Sequence, residues 1–317
     1  MGLTHSSTGL GAGREELFLQ PRPGERVIAL AGNPNVGKST IFNALAKLHQ
    51  HTGNWPGKTV ETARGRCSHR GEDFLLVDLP GTYSLMAHSA EEEVARDFLC
   101  FGDYDAVCVV CDATALERGL NLVLQVLELT DRVVVCVNLM DEARRKGIHL
   151  DLSLLSRRLG APVVGTQARK KKSLSGLLSA LDRVSSGREE TAPLPLRYPH
   201  RMEEAVAALE PLCAPYCRGR VSARWLSLKL LEGDQALLEG VDRALESGLL
   251  NDEELAAAVR AQQEELRHWD MGPEHFPDRL VATLASAAHT LCQGAVTGRE
   301  SGYSPLDRRL DRLLPRP

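Results

Sequence analysis

The chain has 317 residues, of which 43% are hydrophobic and 25% charged, and its formal net charge is −4. This composition is typical of a globular protein of one or two domains, and it excludes a strongly basic surface for nucleic acid. No apolar run reaches the roughly 18 residues of a membrane-spanning helix, and the N-terminus lacks an apolar signal core, so we expect this stretch of chain to be soluble.

Eight cysteines are present without the spacing of a disulfide framework. Cys108, Cys111 and Cys136 lie inside apolar runs, which favours reduced thiols packed as small hydrophobic side chains. The pair Cys108 and Cys111 has the spacing of a metal or redox motif, but its strand-like surroundings favour core residues. Cys213 and Cys217 have no histidine or second cysteine pair nearby, which argues against a metal site.

Residues 1–24 are rich in Gly, Ser, Thr and Pro and are predicted to form a flexible tail. In residues 25–187, strand-like and helix-like segments alternate. The predicted strands are Val27–Ala31, Thr62–Cys67, Phe74–Asp78, Ala106–Cys111, Val133–Val137 and Val163–Val164. The predicted helices are Lys38–Leu48, Ala90–Phe101, Leu116–Leu129, Leu152–Leu159 and Leu174–Val184, and residues 48–59 read as a loop. This alternation predicts an α/β fold with a mostly parallel central sheet covered on both faces.

Residues 188–199 have the composition of a linker, and the character of the chain changes after them. Residues 200–297 are rich in Ala, Leu and Glu with helical periodicity and no strand-like run, which predicts an all-helical domain. The predicted helices are Met202–Leu212, Ala223–Leu231, Gln235–Leu245, Asp252–Trp269 and Asp278–Ala295. Residues 298–317 form the last segment, and Pro305–Pro317 within it is amphipathic with four arginines, which suits either a solvated terminal helix or a segment beside a membrane.

The segment Gly32–Ser39 reads G-x-x-x-x-G-K-S and lies between a predicted strand and a predicted helix, which is the context of a phosphate-binding loop. Its backbone N–H groups and the helix N-terminus can cradle phosphates. Lys38 can reach the outer phosphates, and the Ser39 hydroxyl can ligate Mg²⁺. The loop residues expected to contact a nucleotide are Asn33, Pro34, Asn35, Val36, Gly37, Lys38, Ser39 and Thr40.

Two later motifs belong to the same phosphate chemistry. Asp78-x-x-Gly81 ends a predicted strand, where the carboxylate can lie near Mg²⁺ and the glycine N–H near the terminal phosphate. Thr59 lies in a loop that also contains Gly57, and it is placed to ligate Mg²⁺ when a third phosphate is present; alone, it would be a plain loop threonine. The predicted Mg²⁺ ligands are therefore Ser39, Thr59 and Asp78.

Asn138-x-x-Asp141 ends another predicted strand and identifies the base. The Asp141 carboxylate can accept hydrogen bonds from both N1–H and the exocyclic amine of guanine. Adenine offers an acceptor at N1 and no amine beside it, so the carboxylate would be unpaired at a cost of about 1–3 kcal/mol. The motif favours guanine, and the order of all these motifs is that of a small GTPase.

The residue after Gly81 is Thr82, where a glutamine would orient the attacking water in Ras-like enzymes. This predicts slow intrinsic conversion of GTP to GDP and phosphate, or another aid to the transition state. One candidate is Asn35, whose carbonyl could hold a K⁺ ion near the phosphates. The alternative for Asn35 is a loop side chain bonded to its own turn. The residues assigned to catalysis are Lys38, Asn35, Thr59 and Gly81.

Several segments resemble the cytoplasmic part of the prokaryotic ferrous iron transporter family FeoB. They are the phosphate loop, Thr52–Glu61 (T-G-N-W-P-G-K-T-V-E), Asp78–Leu85, Glu93–Leu99, Asn138–Ala143 and Arg224–Asp234. The resemblance implies a GTPase domain followed by a helical domain that acts like a GDP-dissociation inhibitor. It also implies a transmembrane permease domain after this stretch of chain, a place at the cytoplasmic face of the inner membrane, and K⁺ on Asn35.

One loop departs from the family pattern. The last guanine-contacting loop usually carries Ser or Thr followed by a small or polar residue, and here it reads Gln167-Ala168-Arg169. We expect these three residues and Met140 to contact the nucleotide, with base affinity and GDP release altered. Further candidate partners are a small accessory transport protein and a second copy of the chain.

The resemblance assigns Thr59 to a first switch loop and Asp78–Gly81 to a second. The resulting hypothesis is the GTP-binding and GTP-hydrolysing domain of a ferrous iron transporter, which drives or regulates iron uptake through these switch loops. The alternative is a soluble regulatory GTPase that recruits a protein partner and has no part in transport. A ribosome-assembly GTPase acting on RNA is disfavoured by the net charge of −4.

Overall fold

A seven-stranded sheet forms the centre of the N-terminal part of the chain. The computed structural model describes residues 21–46, 50–54, 60–86, 89–168, 170–218 and 221–298. The strands are β1 (Arg26–Gly32), β2 (Gln50–Asn54), β3 (Glu61–His69), β4 (Glu72–Asp78), β5 (Ala106–Asp112), β6 (Val133–Asn138), β7 (Ile148–Leu150), β8 (Val163–Gly165) and β9 (Val296–Gly298). The main sheet has the order β2-β3-β4-β1-β5-β6-β8, and β7 and β9 form a separate pair.

Neighbouring strands from β4 to β8 in this order run parallel, whereas β3 is antiparallel to both β4 and β2. The predicted mostly parallel sheet is therefore confirmed. Its central strands are buried on both sides because helices cover both faces, which explains their continuous apolar sequences. In β1, for example, Ile28 and Leu30 face one core while Ala29 and Ala31 face the other, and all four are fully buried.

Eleven α-helices are found in the described residues. They are α1 (Lys38–Ala46), α2 (Ala90–Phe101), α3 (Leu116–Leu129), α4 (Met140–Arg145), α5 (Leu152–Leu159), α6 (Lys171–Ser185), α7 (His200–Cys217), α8 (Ala223–Glu232), α9 (Gln235–Leu245), α10 (Glu253–Arg267) and α11 (Phe276–Cys292). Helices α1 and α6 cover one face of the sheet, and α2, α3 and α5 contribute to the core on the other.

Side-chain caps explain where several helices begin. The side chain of the preceding Ser or Asp accepts a hydrogen bond from a backbone N–H of the first turn, which would otherwise have no partner. The capping residues are Ser89 for α2, Asp151 for α5, Ser222 for α8, Asp234 for α9 and Asp252 for α10. Helices α2, α3, α5 and α9 have the bounds that the sequence predicts.

The prediction of a loop over residues 48–59 is wrong in part, because Gln50–Asn54 forms strand β2. This strand pairs with β3 at the edge of the sheet, and its polar sequence contains no apolar alternation. An edge strand needs only backbone hydrogen bonds to one neighbour, so hydrophobic periodicity does not detect it.

The C-terminal part is helical, but the expectation that it contains no strand is wrong. Val296–Gly298 forms β9 and pairs antiparallel with β7, which precedes α5. A strand of three residues is too short to show a period of two. Hydrophobic periodicity therefore cannot detect it, and only its pairing with β7 defines it. The six-residue helix α4 also went unpredicted, because it is shorter than two turns.

The predicted helix Met202–Leu212 continues to Cys217, through Pro211 and Pro215. No helix of the described residues combines the length and apolar composition needed to cross a membrane. All eight cysteines are free thiols, and Cys108, Cys111 and Cys136 are fully buried, which confirms that these three are core residues.

The helical part shares a core with the sheet. Helix α11 packs along α3, and Leu284 and Ala288 of α11 belong to the same buried cluster as Leu120 and Val126 of α3. Residues 186–199 contain neither helix nor strand, yet Tyr198 is buried there. The segment is therefore packed between the two parts.

Glu128 of α3 and Tyr198 of this segment form a polar contact, and the pKa of the Glu128 carboxyl lies near neutral pH. The Tyr198 hydroxyl donates to both carboxylate oxygens of Glu128, at 3.0 and 2.9 Å. Burial raises the pKa of Glu128 to about 7, with Glu203 acting in the same direction, although Tyr198, Arg224 and Lys229 oppose the shift. Because its pKa is higher in the folded protein than in the unfolded chain, ionisation of Glu128 favours unfolding.

We predict that Glu128→Gln removes this pH dependence and keeps the acceptor for Tyr198. Between pH 5 and pH 8, the free energy of unfolding of the wild-type protein should fall by about 1–2 kcal/mol relative to the variant. Urea unfolding at the two pH values measures the difference. The control is Glu239→Gln, since Glu239 is exposed on α9. The same pH dependence in wild type and Glu128→Gln would contradict the assignment.

Candidate functional site

The segment Gly32–Ser39 curls between β1 and α1, against the ends of neighbouring strands. A Cβ on Gly32 would lie 2.6 Å from the carbonyl oxygen of Val110, and a Cβ on Gly37 would lie 2.5 Å from Nδ2 of Asn138. Gly37 also has φ = +82°, a conformation that side-chain-bearing residues rarely adopt. Both glycines are therefore required by close backbone approach, as the motif predicts.

Lys38 at the start of α1 is tied to the end of β4. Its ammonium donates to the Asp78 carboxylate and to the Leu79 carbonyl oxygen. The two side chains are only 9% and 10% exposed, so this ion pair is largely shielded from water. The Ser39 hydroxyl lies 3.2 Å from the other oxygen of Asp78. Hydroxyl and carboxylate oxygens at this spacing suit a small hard cation such as Mg²⁺.

Gly81 lies directly against the phosphate loop, because a Cβ there would be 3.2 Å from the backbone of Pro34. The N–H of the next residue, Thr82, donates to the Gly32 carbonyl at 3.1 Å. The Thr82 side chain is fully buried, and its hydroxyl donates to the Ser84 carbonyl at 2.5 Å. That hydroxyl is engaged within its own turn.

The segment after Gly81 is docked on helix α3. The Gln125 side-chain oxygen accepts hydrogen bonds from the Ser84 hydroxyl at 3.0 Å and from the Leu85 N–H at 2.9 Å. The Arg118 guanidinium lies 4.2 Å from the centre of the Tyr83 ring, a cation–π contact. Helix α3 therefore contacts the loop after β4 on one side and the helical part on another.

A cavity of about 380 Å³ opens beside the phosphate loop. Its lining combines loops after β1, β6 and β8, as expected for a ligand site at the carboxyl ends of parallel strands. The lining residues are Gly37, Thr40, Asn138, Leu139, Asp141, Glu142, Arg145, Gln167, Ala168 and Lys170.

Asn138 bridges these loops rather than standing free in the cavity. It is fully buried, and its Nδ2 donates to the Val36 carbonyl at 3.0 Å. Its Oδ1 accepts from the Thr166 hydroxyl at 3.1 Å and from the Ala168 N–H at 3.2 Å. One amide thus holds the phosphate loop to the loop after β8.

Asp141 is exposed at the cavity from the first turn of α4. It follows Leu139, which has φ = +62° and carries the chain from β6 into α4. The side-chain oxygen of Gln167 is buried and has no hydrogen-bond partner among the described residues. A ligand with a donor at this point would satisfy it.

The structure brings most predicted site residues together, with exceptions. Met140 does not line the cavity; its side chain lies over Gly165 and packs on the core. Asn33 is buried and donates to the Arg118 carbonyl at 3.5 Å, whereas Asn35 is exposed with φ = +64°. The predicted contacts Gly57, Thr59 and Arg169 lie outside the described residues.

Sequence reasoning missed five residues of this region: Leu139, Glu142, Arg145, Thr166 and Lys170. Asp141 and Arg145 are four residues apart and share one face of α4, so recognising that helix would have indicated Arg145. Thr166 gave no signal, since only the folded chain places its hydroxyl on Asn138.

Two protein families match the chain. Residues 26–181 match the family described as ferrous iron transport protein B, and residues 198–297 match the FeoB cytosolic helical domain. Among curated relatives, the Fe(2+) transport protein A/Fe(2+) transporter FeoB fusion protein of Porphyromonas gingivalis is 38% identical over 233 residues, covering 71% of this chain and 27% of that protein. The chain thus spans about a quarter of the length of this relative.

Solved structures of similar chains show the same architecture. The cytosolic domain of the T. maritima FeoB iron transporter in a GDP form is 31% identical, with a TM-score of 0.67, and the match covers 86% of this chain and 98% of that one. An S. thermophilus NFeoB mutant bound to GDP is 30% identical, with a TM-score of 0.72 and coverage of 86% and 100%. The chain therefore has a P-loop GTPase fold followed by a helical domain.

We predict that Asp78→Asn destabilises the protein, measured without nucleotide, by about 3–5 kcal/mol, because it leaves a buried ammonium without its counter-charge. Adding Lys38→Met should restore most of this loss, since the double variant has no buried charge. Urea unfolding without nucleotide measures both. Glu142→Gln is the control, because its pair with Lys146 is 40% and 48% exposed and should contribute little. Equal instability of the single and double variants would contradict the prediction.

Proposed function

The chain belongs to the ferrous iron transport protein B (FeoB) family, and we propose that it binds and hydrolyses GTP as the cytoplasmic portion of a ferrous iron transporter. In this proposal the nucleotide state of the GTPase domain drives or regulates iron uptake through the switch loops. The observation that carries the proposal is the joint position of the phosphate loop and the Asp141 cavity. They meet at Gly37, which lies against Asn138 and lines the cavity.

The phosphate loop would receive the phosphates at the N-terminus of α1. Lys38, now paired with Asp78, would exchange that partner for the outer phosphates, which carry more negative charge. Asp78 and Ser39 would then be free to hold Mg²⁺, whose role is to neutralise charge on the phosphate oxygens. The Gly81 N–H, held near Pro34, is proposed to face the terminal phosphate. Thr59 is proposed as a further Mg²⁺ ligand.

The base would enter the cavity between Asp141 and the loop after β8. The Asp141 carboxylate can accept from N1–H and the exocyclic amine of guanine, and the unpartnered oxygen of Gln167 can accept a further donor. Asn138 contributes by holding both loops in place. These residues would select guanine because adenine leaves a carboxylate unpaired.

Asn35 is the proposed site of a K⁺ ion that assists hydrolysis. Its side chain is exposed at the phosphate loop, and its left-handed backbone allows the loop to curl around a ligand. Thr82 is buried in its own turn and does not offer a group to orient water. A cation near the phosphates would supply positive charge where negative charge develops, and hydrolysis without it would be slow.

The relatives support the remaining partners. They are named Fe(2+) transporters and are about four times as long as the matched stretch, so a transmembrane permease domain is the proposed partner in the same polypeptide. The described residues would then lie at the cytoplasmic face of the inner membrane. The P. gingivalis relative is a fusion with Fe(2+) transport protein A, which supports a small accessory transport protein as a second partner. No comparison favours the alternative of a soluble switch unrelated to transport.

For the base assignment, we predict that Asp141→Asn shifts the preference from GTP toward xanthosine triphosphate by about 10–100-fold, because the amide can donate to the xanthine oxygen. Competition with a fluorescent nucleotide measures the ratio of affinities. The neighbouring Glu142→Gln is the control and should keep the preference for GTP. An Asp141→Asn protein that still prefers GTP as strongly as wild type would rule out the assignment.

For the cation, we predict hydrolysis about tenfold or more faster in K⁺ than in Na⁺ at equal ionic strength, and no difference in Asn35→Ala. Phosphate release at saturating GTP measures the rates. GTP affinity should be retained in the variant, since Lys38 and the loop backbone are unchanged. A K⁺ response that persists in Asn35→Ala would exclude this role for Asn35.

A further inference from the structure

Strand β9, at the end of the helical part, is joined to the segment that presents Asp141. It pairs antiparallel with β7, with Gly298 opposite Ile148 and Val296 opposite Leu150. The pairing continues one step further, because the Asp151 N–H donates to the Ala295 carbonyl at 2.8 Å. Since β7 follows α4 directly, β9 is attached to the segment that leads out of the proposed guanine site.

Helix α4 is short and has to be held by its surroundings. It contains six residues, fewer than an isolated helix needs for stability in water. Asp141 and Arg145 line the cavity from this helix, and Ala143 of the same helix is buried. The helix ends in a tight turn, where the Gly147 N–H donates to the Arg144 carbonyl at 3.0 Å. The position of Asp141 therefore depends on what fixes both ends of α4.

Gly298 of β9 contacts the turn at the C-terminal end of α4. A Cβ on Gly298 would lie 1.9 Å from the carbonyl oxygen of Gly147, and the φ of Gly298 is +114°. The backbone of β9 thus lies directly on the turn that ends α4. Any side chain at this position would force the two segments apart.

The N-terminal end of α4 is fixed by side-chain packing on the core. The Met140 side chain lies over Gly165 together with that of Leu152, and both pack on the core. The helix before β9 is fixed as well, because the Arg158 guanidinium donates to the Leu291 carbonyl at 2.8 Å and to the Gln293 carbonyl at 2.6 Å. The chain that leads into β9 is therefore fixed to α5, and the pairing of β9 with β7 can transmit that restraint to α4.

We propose that β9 is a positioning element for the guanine site: it restrains α4, keeps Asp141 against the base and thereby slows release of guanine nucleotide. This inference rests on the proposed guanine-nucleotide binding. It gives the helical part a route to the nucleotide that does not pass through the segment after Gly81.

The test compares two shortened chains. A chain ended after Ala295 lacks β9, whereas a chain ended after Gly298 retains it, and both lack residues 299–317. We expect release of N-methylanthraniloyl-GDP, chased with excess GDP in a stopped-flow instrument, to be about tenfold faster in the first, which corresponds to about 1.4 kcal/mol. The second should release it at the rate of the full chain. Equal rates in the two shortened chains would overturn the proposal.

Point variants test the same contact without removing the strand. Gly298→Ala should accelerate release about threefold or more, because the methyl group meets the Gly147 carbonyl. Gly294→Ala is the matched control: Gly294 also has positive φ, +71°, but a Cβ there meets nothing within 4 Å. Equal acceleration in both variants would assign the effect to backbone strain and overturn the proposed contact.

Removing β9 from an Asp141→Ala chain distinguishes restraint of Asp141 from a general loosening of the nucleotide site. If β9 acts through Asp141, loss of β9 should hardly change the release rate once that carboxylate is gone. The same fold-acceleration in both backgrounds would overturn the proposal. If the full chain shows no saturable binding of N-methylanthraniloyl-GDP, the proposed function fails. Saturable, Asp141-dependent binding with unchanged release after loss of β9 would reject the role of β9 alone.

Discussion

The buried amide of Asn138 holds the site together. It bonds to Val36 in the phosphate loop and to Thr166 and Ala168 beyond β8, so one side chain sets the distance between the phosphate and base regions. The close approach of Gly37 to this amide leaves no room for a side chain. In the low dielectric of the interior, an unmade hydrogen bond to this amide would be costly, which makes the arrangement rigid.

A second constraint is electrostatic. Lys38 and Asp78 form a shielded ion pair, and in the proposed binding mode phosphate and Mg²⁺ would separate these two groups. Binding would therefore exchange one set of charge contacts for another, without exposing an unpaired charge at either stage. Because Asp78 leads into the segment docked on Gln125, such an exchange can displace that segment from α3.

Two surfaces connect the GTPase fold to the helical domain. Helix α3 contacts the segment after Gly81 and packs against α11, while β9 contacts the turn after α4. In the proposed binding mode, the first route would start from the phosphates and the second from the base. A helical domain attached at both places can respond to the third phosphate and to the presence of the base through different parts of one buried core.

The sequence by itself determined the α/β class, the strong apolar strands and the positions of the loop motifs, because periodicity and short motifs are local properties of the chain. Six of the ten residues that line the cavity were predictable in this way: Gly37, Thr40, Asn138, Asp141, Gln167 and Ala168. Only the tertiary structure decided the polar edge strand β2, the pairing of β9 with β7, and the bond from Thr166 to Asn138. It also packed the partly buried Met140 side chain against the core. Each of these depends on partners distant in sequence, and no local pattern encodes a contact whose other half lies many residues away.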